Sequence, residues 1–337
     1  MTLSLAGVPR QMKQNTLRFA QKWPFLQPFI GVVSFLFMCV NVFFWALLVH
    51  CLAPLLLFKR VSVQSFFEQA CRFCYDRWIA CNEWWFRYVL GVKWGLDERM
   101  LVDFQQWHLL IANHRSWVDV FVIFAQLRGR RPLPRVFMKQ GLMWLPFVGS
   151  AAYIMGFPFM KRYTKEQIQK NPALAGKDLA TTKRSCVRLL NQPNSIMSFV
   201  EGTRFSQTKR QQQGSPYRCL LKPKAGGISF ILQTMPQRIK SITDINVLYE
   251  QTKVSGWDVL CGRIQTVKVM VREVPLPANM QTVAYQPAGK DREHFFTWFN
   301  LYWHDKDTRM SHQLDALRNT SVSSLEDHFS TGKTSQE

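Results

Sequence analysis

The feature that most constrains the fold is an uncharged, strongly apolar stretch near the start of the chain. Residues 29–58 contain no Asp, Glu, Lys or Arg. As a helix, the part before Pro54 would measure about 38 Å at about 1.5 Å per residue, whereas the hydrocarbon core of a bilayer is about 30 Å thick. The stretch is too long for the apolar part of a secretory signal peptide, and no small-residue cleavage site follows it. It therefore predicts a membrane anchor.

Basic residues flank this anchor equally, so its orientation stays open. The residues that precede it are Arg10, Lys13, Arg18 and Lys22, and those that follow it are Lys59, Arg60, Arg72 and Arg77. The usual excess of basic residues on the cytoplasmic side gives no direction here. Equal flanks fit a helix or hairpin held in one leaflet with both ends on the cytoplasmic side. They fit an ordinary tilted span equally well.

A second helix is predicted over residues 61–90. Apolar residues recur there at spacings of three and four, which places them on one helix face: Phe67, Cys71, Cys74, Trp78, Cys81, Trp85 and Val89. Gly91 ends the pattern. The apolar face suits a helix that lies on the membrane or packs on the first helix, and it would also suit a core helix of the domain that follows.

The cysteines indicate a reducing compartment. They form no spaced framework, and the close pair Cys71 and Cys74 has no second Cys or His pair at zinc spacing. We therefore expect free thiols and no metal site.

From residue 92 onward, strand-length apolar runs alternate with helical stretches. This predicts an α/β fold, a mixed sheet flanked by helices, behind an N-terminal membrane-associated helical pair. The predicted strands cover residues 92–96, 108–112, 136–138, 153–157, 196–200, 242–249 and 266–274. The predicted helices cover residues 118–127, 176–191 and 226–233.

Four regions follow from this pattern. They are a basic segment with the membrane anchor (1–58), an amphipathic interfacial helix (59–91), the α/β domain (92–318) and a tail (319–337). The tail is rich in Ser and Thr and has no periodicity, so we expect it to be disordered.

Net charge narrows the class of partner. Lys and Arg number 43 against 22 Asp and Glu, which gives a net charge of +21. Such a charge attracts an anionic membrane surface, phosphorylated substrates or nucleic acid. The 12 Trp and 26 Phe favour the membrane interface, where aromatic rings and basic side chains both settle. Membrane lipids are therefore the expected partner, and no specific nucleic acid is expected.

A candidate acid/base pair follows the strand at residues 108–112. His114 comes just past the end of this strand, where ligands bind in open α/β sheets, and Asp119 begins the helix that follows. On one regular helix these two side chains would point about 140° apart, so they meet only if the chain bends between them. The strand-to-helix loop supplies that bend. Asp119 could then accept a hydrogen bond from one imidazole nitrogen and leave the other as a base.

A simpler explanation of Asp119 competes with this one. Ser116 three residues before Asp119, ahead of an apolar run, is also a weak capping box, in which Asp119 would only cap the helix. This stretch alone does not decide between the two.

A second motif follows the strand at residues 196–200. It reads Glu201-Gly202-Thr203-Arg204, and it comes after Asn113-His114-x-x-x-x-Asp119 in the chain. Two further blocks lie between them, one at residues 156–162 that ends in Arg162 and one that begins at Lys139. This ordered set resembles the glycerolipid acyltransferase family, and more narrowly the 1-acylglycerol-3-phosphate acyltransferases, over residues 90–275.

The resemblance has one departure. Family members often carry a Pro-centred fourth block, where this chain has residues 242–249. In this respect the chain is similar to the branch that holds long-chain and endoplasmic-reticulum members and their bacterial counterparts. The acyl donor and the exact acceptor therefore stay open.

The resemblance implies a role for each motif residue. His114 would be the general base and Asp119 its orienting partner, with Arg204 as the main phosphate ligand because its planar fork matches phosphate oxygens. The implied substrate-binding residues are Asn113, Lys139, Arg162, Glu201, Gly202, Thr203 and Arg204. No metal or cofactor is implied, and acyl-CoA or acyl-carrier protein would serve as co-substrate.

The expected protein is a membrane-bound acyltransferase with its active site facing the cytoplasm. It would act at a bacterial inner membrane, or at the endoplasmic reticulum in a eukaryote, and transfer a fatty acyl group to 1-acylglycerol 3-phosphate. Two alternatives remain: an acyltransferase for another lysophospholipid, and a non-catalytic, basic, membrane-tethered protein that binds RNA or anionic lipid. The spacing of His114 and Asp119 argues against the last, since a binding surface has no use for it.

Overall fold

The uncharged stretch folds as one long helix. The computed structural model of the protein describes residues 23–94, 107–129, 134–160, 169–174, 194–235, 238–281 and 289–331. Helix α1 spans Gln27–Leu52, and a 3-10 turn continues it through Leu57. Within the described ranges it is the one helix long and apolar enough to cross a membrane, and only 28% of its most apolar window is buried. A core helix of a soluble domain would be mostly buried, whereas most of this window is exposed.

Helix α2, Val61–Trp84, packs against α1 and continues into a π-helical turn at Trp85–Val89. Its predicted apolar face meets α1, where the rings of Phe37 and Trp85 stack with centroids 4.1 Å apart. Polar contacts fix the pair at two levels. The Trp85 indole donates to the Ser34 hydroxyl at 3.0 Å, and the Asn41 amide donates to the Trp78 carbonyl at 3.2 Å.

Helix α1 also touches the rest of the chain at both of its ends. At its start, Arg263 donates to the Gln27 side chain at 3.0 Å. Near its finish, the His50 ring and the Ser150 hydroxyl lie 2.8 Å apart. Close to the first contact, Gly31 allows Cys261 to pack closely against α1, because a Cβ at Gly31 would lie 2.7 Å from the Cys261 sulfur. The helix therefore lies along the domain that follows and does not project from it.

That domain is built on a five-stranded mixed sheet in the order β2-β5-β1-β6-β7. The strands are β1 His108–Ala112, β2 Pro134–Val136, β5 Ser195–Phe199, β6 Ser241–Tyr249 and β7 Val267–Pro275. Strands β2, β5, β1 and β6 run parallel, and β7 is antiparallel to β6. Strands β3 Met138–Lys139 and β4 Phe159–Met160 form a separate parallel pair. The mixed sheet flanked by helices confirms the predicted fold class.

Helices cover both faces of the sheet. They are α3 Asp119–Leu127, α4 Val148–Ile154, α5 Gln207–Gln212, α6 Gly226–Thr234, α7 Gly256–Leu260 and α8 Gly289–Thr331. One buried cluster packs α6 and α8 on one face, and another packs α2 and α3 on the other. The parallel strands thus carry apolar side chains on both faces, as buried parallel strands do.

One predicted strand is wrong and others differ in extent. Residues 153–157 were expected to form a strand, but most of that segment lies in α4 and the turn after it. Val148, Ala151, Ala152 and Met155 face one cavity at spacings of one, three and four, which is a helical pattern. The strand predicted at 136–138 divides into β2 and β3, and that at 92–96 is reduced to a bridge at Lys93. Residues 95–96 and the helix predicted at 176–191 lie outside the described residues.

The tail that was predicted to be disordered from residue 319 is helical as far as Thr331, where α8 ends, and residues 332–337 lie outside the described residues. The buried positions of α8 recur at spacings of mostly three and four: Phe295, Phe299, Trp303, Lys306, Met310, Leu314 and Leu317. Packing of this face stabilises the helix. Once the helix has formed, each further residue adds a backbone hydrogen bond at a small cost in conformational entropy, so the helix continues past its last buried position.

A buried ion pair fastens α8 to β6. The Lys306 ammonium group is fully buried and contacts the Asp244 carboxylate, the Asn246 side-chain oxygen and, at 3.2 Å, the Ile245 carbonyl. Arg309 reaches the second Asp244 oxygen at 3.2 Å. Burial lowers the pKa of Lys306, and the Asp244 charge opposes that shift. The ammonium group is stable here only because acceptors surround it.

We expect Lys306→Met to lower the free energy of unfolding by about 3 kcal/mol or more, because it leaves a buried carboxylate short of a partner. The matched control is Arg272→Met, which breaks the exposed Arg272–Asp305 pair and should cost at most about 1 kcal/mol. Urea unfolding in detergent measures both. Equal losses in the two variants would show that the buried pair does not hold α8 in place.

Candidate active site

The loop between β1 and α3 places two functional side chains at the carboxyl end of the sheet. β1 ends at Ala112, and α3 begins at Asp119. The backbone bends between them as predicted, and the Nδ1 atom of His114 lies 3.0 Å from the Asp119 carboxylate. Because a carboxylate only accepts hydrogen bonds, Nδ1 carries the hydrogen, and Nε2 is left as the basic nitrogen of the ring.

The Asp119 carboxylate is fully buried and accepts four hydrogen bonds. One oxygen takes the His114 ring and the backbone N–H groups of Arg115 and Ser116, at 2.7 and 2.9 Å. The other takes the Tyr249 hydroxyl at 2.5 Å. The Ser116 contact is half of the capping box considered above. Asp119 therefore shapes the loop and orients the histidine together, so the two explanations of it do not exclude each other.

Tyr249 is a part of this group that the sequence analysis missed. It ends β6, which pairs in parallel with β1, so both strands finish at the same edge of the sheet. Burial, and next the nearby Asp119 charge, raise the pKa of Tyr249 well above its ordinary value. Its hydroxyl therefore stays protonated and keeps donating to Asp119. The available signal was its position at the end of a predicted strand.

Asn113 was predicted to bind substrate, and the structure gives its side chain another contact. The side chain is buried; its amide nitrogen donates to the Val247 carbonyl at 2.9 Å and its oxygen accepts from the Val247 N–H at 2.8 Å. This pair of bonds ties the end of β1 to β6. Asn113 thereby fixes the start of the loop that carries His114.

Glu201 holds the same loop from the other side. Its buried carboxylate accepts the His114 N–H at 2.9 Å with one oxygen and the Leu221 N–H at 2.9 Å with the other. Phe205 adds a backbone bond to the His114 carbonyl at 2.7 Å. Burial raises the pKa of Glu201 to about 7, against the two N–H donors that lower it. Glu201 is therefore a positioning residue for the backbone of His114.

The turn after Glu201 exposes backbone and a cation. Gly202 is exposed and has a φ of +68°, a backbone conformation that would be strained for a residue with a side chain. Lys209 closes the turn by donating to the Thr203 hydroxyl at 2.8 Å and the Arg204 carbonyl at 3.1 Å. The Arg204 side chain is exposed, and among the described residues no hydrogen bond or ion pair holds its guanidinium group.

Two cavities meet at His114. The first, of about 330 Å³, is apolar and lies between the helical pair and the sheet domain, with walls that include Ala46, Trp78 and Phe124. The second, of about 630 Å³, is more polar. Their walls share His114, Phe137, Met138, Lys139 and Phe199. The Phe199 ring stacks on the His114 imidazole with centroids 4.0 Å apart and holds it at this junction.

The polar cavity contains two lysines. Lys139, which was predicted, is exposed and lines both cavities, and Lys224, which was not, lines the polar one together with Gly202. Arg162 lies outside the described residues. In the described part of the chain, no group of three or more His, Cys, Asp or Glu stands close enough to hold a metal ion.

Comparison with known proteins agrees with this geometry. Residues 102–250, which contain the His114 loop, the Glu201 turn and all of β6, match the Acyltransferase family model. The model covers somewhat less than half of the chain, and over these residues the chain is similar to the glycerolipid acyltransferase family.

Similar proteins come from yeast and human. An uncharacterized acyltransferase of Saccharomyces cerevisiae is 23% identical over 254 residues, covering 67% of this chain and 59% of that one. The human 1-acyl-sn-glycerol-3-phosphate acyltransferase gamma is 22% identical, with 73% and 64% covered. The 2-acyl-1-lysophosphatidylinositol acyltransferase of Saccharomyces cerevisiae is 21% identical, with 63% of each covered. The chain thus spans about three fifths of the length of these relatives.

The buried Glu201 carboxylate of this acyltransferase domain predicts a pH effect on stability. Its folded pKa of about 7 lies above the ordinary 4.5, so the folded state holds the proton more tightly than the unfolded state. This contribution is complete below about pH 4.5 and is lost as pH rises through about 7, by roughly 3 kcal/mol. We expect Glu201→Gln to remove this decline, although it also weakens one of the two backbone contacts.

The measurement is the unfolding free energy in detergent between pH 4.5 and 8. Glu293→Gln, which removes an exposed carboxylate on α8, controls for the loss of one charge. Parallel pH curves for the wild type and Glu201→Gln would contradict the assignment.

Proposed function

We propose that this protein is a membrane-bound O-acyltransferase that moves a fatty acyl group from an acyl thioester to the 2-hydroxyl of 1-acylglycerol 3-phosphate, forming phosphatidate. One observation carries the proposal: an apolar cavity and a cationic polar cavity meet at His114, whose Nδ1 is bonded to buried Asp119. A reaction between a fatty chain and a phosphorylated alcohol needs both surfaces beside one base.

The chemistry needs only this base. Nε2 of His114 takes the proton of the acceptor hydroxyl as its oxygen attacks the thioester carbonyl, which forms the new C–O bond. The C–S bond then breaks, and the proton passes from the imidazolium to the leaving thiolate. General base catalysis of this kind contributes about 10²–10⁴-fold. Asp119 fixes the ring tautomer and balances the imidazolium charge, and the Tyr249 hydroxyl keeps the carboxylate in place.

The cavities would divide the two substrates between them. The apolar cavity is lined by α1, α2, α3 and α4 and suits an acyl chain, which it removes from water. Lys139 and Lys224 in the polar cavity suit the phosphate of the acceptor. The backbone of Gly202 can approach it closely, and Arg204 follows two residues later with an exposed guanidinium group.

The course of α1 supports a location in one leaflet. Gln27 and His50, about 35 Å apart along the helix, both contact the same domain, through Arg263 and Ser150. If α1 crossed the bilayer, the domain that contacts both of its ends would have to lie within the hydrocarbon as well. We therefore propose that α1 lies in one leaflet of the membrane and does not cross the bilayer. This is one of the two arrangements that the equal basic flanks allow.

The donor and the membrane follow from the same chemistry. A thioester made in the cytoplasm, acyl-CoA or acyl-carrier protein, would be the co-substrate, and no cofactor is required. The active site would face the cytoplasm, at a bacterial inner membrane or, in a eukaryote, at the endoplasmic reticulum. The yeast relative named for lysophosphatidylinositol keeps another lysophospholipid acceptor as the second candidate.

The test is thiol release from acyl-CoA with a panel of lysolipid acceptors. A phosphate monoester carries up to two charges and can use Arg and Lys together, whereas lysophosphatidylcholine carries one phosphate charge and a bulky cation. We expect 1-acylglycerol 3-phosphate to be preferred. Arg204→Lys should raise its KM about 10- to 150-fold, as for one lost charge-assisted hydrogen bond, and leave the donor KM nearly unchanged.

Arg218→Lys is the matched control, because Arg218 is an exposed arginine paired with Asp315 on α8. It should leave both KM values unchanged. Equal use of the two acceptors would assign the protein to the wider lysophospholipid class, and no thiol release with any acceptor would overturn the acyltransferase proposal.

A further inference from the structure

An exposed apolar loop lies beside both cavities. Residues 140–147, here called the apolar loop, form the 3-10 turn Gln140–Trp144 and the link to α4. Trp144 is 84% exposed, and Leu142, Leu145 and Phe147 are each more than 40% exposed. Four large apolar side chains exposed within six residues are unusual on a surface that faces water, where such residues usually stand singly.

The loop is fastened in this position. Phe147 has a φ of +62°, a conformation that costs a non-glycine residue energy and persists only where neighbours enforce it. Its ring meets Phe43 of α1 edge to face, with centroids 4.7 Å apart. Three residues later, Ser150 bonds to His50 of α1. The chain thus accepts local strain to keep the loop against the membrane helix.

The loop extends the apolar surface of α1. Phe43, Phe44 and Leu47 are exposed on α1, and Phe43 contacts the loop through Phe147. A lipid phase that covers these α1 residues therefore reaches the loop without a polar break at this contact. Lys139, which precedes the loop, is exposed and can hold its ammonium group at the level of the lipid headgroups.

The loop also forms part of the walls around His114. Leu142 lines the apolar cavity, and Gln140, Gly141 and Trp144 line the polar one. The loop therefore borders the space in which the two substrates would meet, and two of its exposed apolar side chains, Leu142 and Trp144, are among the residues that line it. A lipid that moves along the loop from the bilayer reaches that space directly.

We propose that the apolar loop inserts into the same leaflet as α1 and forms the lateral entrance through which the acceptor lipid passes from the bilayer to His114. The occupant of this surface is the acyl region of the bilayer, because the loop continues the lipid-facing surface of α1. The insertion rests on the exposed side chains of the loop and on its contact with α1, whereas its role as an entrance rests on the proposed function.

Insertion is tested with the full chain in vesicles of phosphatidylcholine and phosphatidylglycerol that carry brominated acyl chains. The emission of Trp144 is obtained as the difference between the wild type and Trp144→Phe. We expect brominated lipid to quench most of this difference signal and aqueous iodide to leave it nearly intact. Leu301→Trp is the control: it adds a tryptophan at an exposed position of α8, and iodide but not brominated lipid should quench the added signal.

The entrance is tested by how the acceptor is presented. Leu145 is exposed and lines neither cavity. For Leu145→Ser, we expect kcat/KM to fall about tenfold or more with a long-chain acceptor in vesicles, the low end for withdrawing one large side chain from an apolar phase. With a short-chain acceptor dissolved as monomers, kcat/KM should equal that of the wild type. Leu145 is too exposed for its loss to unfold the protein, and Leu301→Ser is the matched control.

The outcomes separate the two proposals. Trp144 emission that iodide quenches and brominated lipid does not would overturn insertion, as would a dimer of the wild type that Trp144→Ser dissolves. Equal losses with both forms of acceptor would overturn the entrance. Quenching by brominated lipid in a protein that is inactive with every acceptor would support insertion and overturn the acyltransferase function.

Discussion

The site depends on one buried carboxylate. Asp119 is held by the His114 ring, by two backbone N–H groups of the loop and by the Tyr249 hydroxyl. Burying a carboxylate without such donors would destabilise the fold by several kcal/mol. The donors therefore stabilise one another's positions, and they link the loop conformation, the tautomer of the histidine and the pairing of β1 with β6. The His114 ring is therefore oriented by the register of the sheet as much as by its own loop.

The motif Glu201-Gly202-Thr203-Arg204 contributes to the site by holding the loop that carries His114. Glu201 and Phe205 hold the backbone N–H and the carbonyl of His114, so the turn after β5 positions His114. Since β5 and β1 are parallel neighbours, both motifs finish at one edge of the sheet. The helical pair completes the arrangement, because α1 and α2 supply walls of the apolar cavity that ends at His114. The long apolar helix and the His114 site thus share one set of elements.

The features that could be predicted from the sequence are those that depend on local residue patterns. The His114–Asp119 contact and the strand ends followed from spacing, and α1 from its lack of charge. Tyr249 and Lys224 were missed because their roles depend on which strands and loops are neighbours, which no local pattern states. Asn113 and Glu201 were assigned to substrate, whereas their polar atoms bond to the backbone of neighbouring segments. Helix α8 had a readable period of three and four, but its Ser- and Thr-rich end suggested disorder.

Turnover by a folded His114→Ala protein tests the central claim most directly. The measurement is lysolipid-dependent thiol release from acyl-CoA, made on a variant whose unfolding midpoint in detergent equals that of the wild type. If Nε2 of His114 is the base, turnover falls at least about a hundredfold, and Asp119→Asn falls with it because the tautomer is no longer fixed. Near wild-type turnover by folded His114→Ala would contradict the account.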